Sequence, residues 1–186
     1  MFKLLRSPSS YFETLSLSAP GNRFITQGFF FLWFGIFSEQ ATLYFLTRLA
    51  KTSPRILELI SAQQFNLIQN ENVLQLVLSP LIAFFGIYLF SSLLHVFLKI
   101  ASANPTELDY DKTLNLVAVC QLPRLFSFIP LLGPAIAQIW VLMLMMKGIQ
   151  KFYGIRYLHS IVCILMGVFF LKICWGSALQ LIALSL

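Results

Sequence analysis

The chain has 186 residues, of which 58% are hydrophobic and only 11% are charged. Soluble domains carry about 25% charged residues, so this content excludes a water-solvated globular enzyme. Its 19 Phe exclude a disordered chain. The formal net charge of +6 comes from 13 Lys and Arg scattered between apolar runs. With no dense basic stripe, that charge reads as a membrane topology label, and no nucleic-acid partner is expected.

Lys3 and Arg6 open the chain, but no apolar run of leader length stands behind them and Pro8 interrupts the segment, so no cleavable leader is expected. Ser10 and Glu13 match a capping box, in which each side chain satisfies a free amide at a helix start. They predict a short amphipathic helix from Tyr11 to about Ser18 on the membrane surface, ended by Pro20-Gly21. Span 1 is expected from about Phe24 to Leu46, closed by Arg48 and Lys51. At helical rise it reaches about 34 Å, enough for a hydrocarbon core of about 30 Å. Ser53-Pro54 then starts a second amphipathic helix through Asn70, too polar to cross. Ile56, Leu59, Ile60, Leu67 and Ile68 form its apolar face.

Span 2 is expected from about Val73 to Ile100, with Pro80 and Gly86 inside. Pro is tolerated there only if a neighbour takes up the carbonyl it frees. Glu107, Asp109 and Asp111 mark a solvated loop. Span 3, about Leu114 to Ile129, contains Pro123-Arg124 and reaches only about 24 Å. The turn Pro130-Leu131-Leu132-Gly133-Pro134 leads into span 4, Ala135 to about Gln150. Span 5 runs from about Leu158 to Leu186 and contains Lys172. The expected fold is all-α: a five-span membrane helix bundle over 23–186, preceded by a cytoplasmic segment over 1–22. Cys120, Cys163 and Cys174 lie in apolar segments without a C-x-x-C pair and read as buried free thiols.

With the N-terminus cytoplasmic, eight bases fall inside (Lys3, Arg6, Arg23, Lys99, Lys112, Lys147, Lys151, Arg156) and three outside (Arg48, Lys51, Arg55). The bias places the C-terminus outside. Span 3 is the sensitive point, because a re-entrant path there moves the Lys147–Arg156 loop to the other side.

Several short motifs recur in this order: Leu93-Leu94-His95, Thr113-Leu114, Pro123, Ile129-Pro130-Leu131-Leu132-Gly133, Ile139-Trp140 and Lys147-Gly148-Ile149. Together with Ser7-Pro8 and Phe12 at the start, the pattern resembles the YIP family, the Ypt/Rab-interacting multi-span proteins and their bacterial relatives. The resemblance covers most of the chain. It implies five spans, a cytoplasmic N-terminus and no enzyme activity. Eukaryotic members act in Golgi and ER trafficking and associate with Rab GTPases and with one another. This chain lacks their long cytosolic tail, so the resemblance is to a bacterial, inner-membrane member. Its expected partners are the lipid bilayer and protein partners or further copies of itself.

Ionisable groups in lipid are expensive and mark candidate sites. Glu39 lies about 22 Å from the inner end of span 1, Lys172 about 21 Å from that of span 5, and Arg124 about 15 Å deep. A Glu39–Lys172 pair, with Arg124 reaching toward Glu39, is the expected polar cluster. His95 and Gln138 complete it, and Gln121 lies in the same region. A metal would need several converging ligands; His95, His159 and Cys120 have no spacing that demands one, so no metal or cofactor is expected. No nucleophile or phosphate-loop motif is present. Gly133-x-x-x-Ala137 predicts close packing of span 4 on span 3. The sequence thus points to a non-enzymatic membrane protein that organises membrane or recruits partners. The alternative is a small transporter or channel component using the Glu39, Arg124, Lys172 cluster.

Overall fold

The computed structural model describes residues 12, 23–52, 62–102, 108–130 and 132–185, and among them every regular element is helical. They are α1 (Arg23–Ala50), α2 (Ala62–Ala101), α3 (Tyr110–Val119), a 3-10 helix (Leu122–Phe128), α4 (Gly133–Tyr153) and α5 (Tyr157–Ser185). Phe24–Ala50 and Asn70–Ala101 are long and apolar enough to cross a membrane, and Tyr157–Ile173 is a shorter apolar stretch. α1 packs on α2, α3 and the 3-10 helix, whereas α5 packs on α2 and α4.

Two expected boundaries are corrected. The second amphipathic helix is not separate from span 2. α2 runs unbroken for 40 residues from Ala62, because no Pro or Gly stands between Ala62 and Val73 to break it. Its predicted start at Ser53-Pro54 lies outside the described residues. Span 3 is not one α-helix. α3 stops at Val119, four residues before Pro123, whose ring and missing amide exclude an α-turn onto that carbonyl. Gln121 adapts the break. Its backbone amide bonds Ala118 O at 3.2 Å, and its side-chain Nε2 donates to Val117 O at 3.1 Å. The chain then continues as a 3-10 helix with Pro123 in its first turn.

Pro80 inside α2 frees the Leu76 carbonyl, and the Ser79 hydroxyl donates to it at 2.8 Å. The same hydroxyl accepts from Trp33 Nε1 on α1 at 3.2 Å. One hydroxyl therefore heals the proline gap and ties the first two helices together.

The Ile129–Gly133 turn also has a steric reason. A Cβ on Gly133 would run into the Phe126 carbonyl oxygen. The Gly133 amide bonds Ile129 O at 2.9 Å, and Trp140 stacks on Phe126 with centroids 5.7 Å apart. α4 thus folds back on the 3-10 helix, as the small-residue pattern predicts. The core gathers Leu94, Leu98, Leu116, Leu144, Ile149 and Ile164, with the buried Cys120 and Cys163 as free thiols.

The predicted surface helix over 11–18 lies outside the described residues except for Phe12. That residue is helical and only 2% exposed. Its ring meets Phe152 edge-on at 5.8 Å, so it is part of the core.

Candidate functional site

The sequence-derived cluster separates into two centres. The first surrounds Arg124, which the 3-10 helix carries against α1. A Cβ on Gly35 would lie 2.9 Å from Arg124 Cβ, so the bare glycine admits the base of this side chain. The guanidinium donates through one terminal nitrogen to Gln138 Oε1 on α4 at 2.6 Å. Glu39 is the acid whose charge reaches it, but no ion pair closes between the two. Arg124 Nε has no protein partner, and Gln40 Oε1 and Ser127 Oγ are likewise buried without one.

Lys172 takes no part. It is exposed on α5, which packs on α2 and α4. The expected Glu39–Lys172 pair is therefore not formed: equal depth along two helices does not turn their side chains toward each other.

The second centre holds His95. His95 Nδ1 lies 3.0 Å from Thr113 Oγ1, and Thr113 Oγ1 lies 2.9 Å from the Tyr153 hydroxyl. The Tyr110 ring meets the imidazole edge-on at 5.6 Å, and its hydroxyl lies 3.2 Å from Ser92 Oγ. Asp109 caps α3, its carboxylate accepting from the Asp111 amide at 3.0 Å. This network joins α2, α3 and α4. Burial raises the Tyr153 phenol to about 12, and either its hydroxyl or that of Thr113 can be the donor in their hydrogen bond.

The Thr113→Val substitution keeps the shape but leaves His95 and Tyr153 without their shared partner. Its expected cost is about 2 kcal/mol, with Thr113→Ser close to wild type. Denaturant unfolding in detergent checks this, and equal losses from both would contradict the bridging role.

The sequence reading missed Thr113 and Tyr153 as partners, because a Thr in an apolar run carries no local signal of what it faces. It also missed Gly28 and Gly35, although their seven-residue spacing puts both on one side of α1. At Gly28 a Cβ would lie 2.5 Å from Ala118 Cα, so the bare glycine lets α1 lie against the backbone of α3. His95, His159 and Cys120 are not brought together, and no three His, Cys, Asp or Glu converge among the described residues.

No curated protein and no solved structure matches the chain. The family model described as Yip1 domain matches residues 2–179. That match spans nearly the whole sequence, from the Ser7-Pro8 start through Lys147-Gly148-Ile149, so this chain belongs to the Yip1-domain family and is a helical membrane protein.

Proposed function

We propose that this chain is a non-enzymatic, five-span protein of the cell's inner membrane that organises the bilayer or recruits protein partners. The N-terminal segment 1–22 is cytoplasmic, 23–186 form one membrane domain, and the C-terminus faces outward. The observation that carries this reading is the apolar outer surface of the bundle. Phe45 on α1, Phe85 on α2, Ile139 on α4, and Leu158 and Phe169 on α5 are all more than half exposed. Water would not tolerate so much large apolar surface, whereas lipid would solvate it.

Two further observations support the five crossings. The ten residues of α3 and seven of the 3-10 helix together reach about 29 Å, close to the hydrocarbon thickness. The end of α2, the start of α3, the end of α4 and the start of α5 line one cavity at one end of the bundle. In-vivo cross-linking and pull-down from native membranes tests the recruiting role. A reproducible protein partner is expected, and recovery of none would oppose it.

A second reading, a small transport component, rests on the buried unpartnered atoms Arg124 Nε, Gln40 Oε1 and Ser127 Oγ. It predicts an ion flux in proteoliposomes that Arg124→Met abolishes.

A further inference from the structure

The ends of α2 and α4 and the starts of α3 and α5 line a half-open cavity of about 620 Å³, a volume in the usual range for small-ligand sites. Three cationic or imidazole side chains from two elements line it: Lys112 on α3, and Arg156 and His159 at the entry to α5. Among the described residues, no Asp or Glu lines it.

The backbone adds to the same polarity. α5 begins at Tyr157, so the positive end of its dipole lies at the end of the helix that carries Arg156 and His159. Gly154, also in the wall, ends α4 with φ +62 and has open space where a Cβ would stand. A side chain there would be strained and would project into that space. The Tyr153 hydroxyl, held by Thr113 at 2.9 Å, fixes the ring that forms another part of the wall.

We infer that this cavity binds a phosphate group, held by the Arg156 fork and the Lys112 and His159 donors. Guanidinium pairs with two phosphate oxygens at once, and ammonium acts as a compact point charge beside it. Phosphate binding is independent of the scaffolding or recruiting role, because it needs only the cavity. A phospholipid headgroup and free phosphate share this chemistry. Positive-inside labelling alone requires bases at this end of the bundle, but not that three of them, from two elements, line one space. Lys147 and Lys151 are exposed bases near the same end of α4 that do not line the cavity, so they provide the control.

The test uses the full chain in nanodiscs of three kinds: phosphatidylcholine alone, phosphatidylcholine with a quarter phosphatidylglycerol, and phosphatidylcholine with added inorganic phosphate. Retained phosphatidylglycerol is read by native mass spectrometry, and phosphate binding by the rise in melting temperature. Retention of phosphatidylglycerol assigns the site to a lipid headgroup, and a rise with phosphate alone assigns it to the free anion. Lys112→Gln with Arg156→Gln is expected to weaken whichever binds by about tenfold or more, with Arg156→Lys intermediate. Lys147→Gln with Lys151→Gln is expected to stay within about twofold of wild type. The phosphate site is overturned if wild type binds neither probe, or if the control pair loses as much as the cavity pair.

Discussion

Gly28→Leu is expected to abolish the folded protein, with a cost of more than about 3 kcal/mol. At this position α1 lies directly on α3. A Cβ would stand 2.5 Å from Ala118 Cα and 2.6 Å from Ala118 O. Both are backbone atoms in the last turn of α3, so neither can rotate away as a flexible side chain would. Separating the helices instead would pull α1 from the 3-10 helix and loosen the Gly35–Arg124 contact one face along. Gly86→Ala is the matched control. Its Cβ would sit 3.8 Å from Leu32 Cδ2, an ordinary contact, and the better helix propensity of Ala offsets any loss by about 1 kcal/mol. Folded yield after detergent extraction, followed by gel filtration, distinguishes the two. Normal yield from Gly28→Leu would contradict the close crossing.

Gln138→Leu is expected to cost about 3 kcal/mol, and adding Arg124→Met is expected to recover most of that loss. The asymmetry comes from the groups each change leaves behind. Gln138 supplies the 2.6 Å acceptor for the guanidinium, and Arg124 Nε already lacks a partner. Removing the acceptor leaves a largely enclosed charge with only the more distant Glu39 to offset it. Met keeps the unbranched stem that lies over Gly35 and removes the charge together with its need for partners. Unfolding of the two single variants and the double variant in one detergent measures the coupling. A double variant no more stable than Gln138→Leu alone would show that the lost hydrogen bond is not the source of the cost. The folded double variant then serves the flux assay, because any loss there reflects the missing guanidinium rather than misfolding.

The elements that the chain sets by itself were readable from their residues. Length and hydropathy placed α1, α4 and α5 within a few residues of their observed bounds. Pro80 required a substitute donor, and Ser79 provides it from the adjacent position. The Gly133 turn was recognisable as a motif, and its reason, contact with the Phe126 carbonyl, lies within the same short stretch.

The features that escaped the sequence depend on rotation about a helix axis or on residues far apart along the chain. Depth arithmetic set Glu39, Arg124 and Lys172 at comparable levels, yet Arg124 pairs with Gln138 and Lys172 points outward. Rise per residue fixes height but not azimuth, and packing decides azimuth. His95 was singled out without its partners, because Thr113 and Tyr153 come from two other helices. The basic cavity was invisible for the same reason. Lys112 and Arg156 read as topology labels and His159 as a ligand that no spacing demands, whereas the fold places all three around one space.

Span 3 decides whether the proposed five crossings hold. A compartment-sensitive reporter inserted after Asn104, Leu131 or Gly154, or fused after Leu186, reads the side of each point directly. Cytoplasmic signals are expected at Asn104 and Gly154 and external signals at Leu131 and Leu186. A cytoplasmic signal at Leu131 or Leu186 would contradict the five crossings.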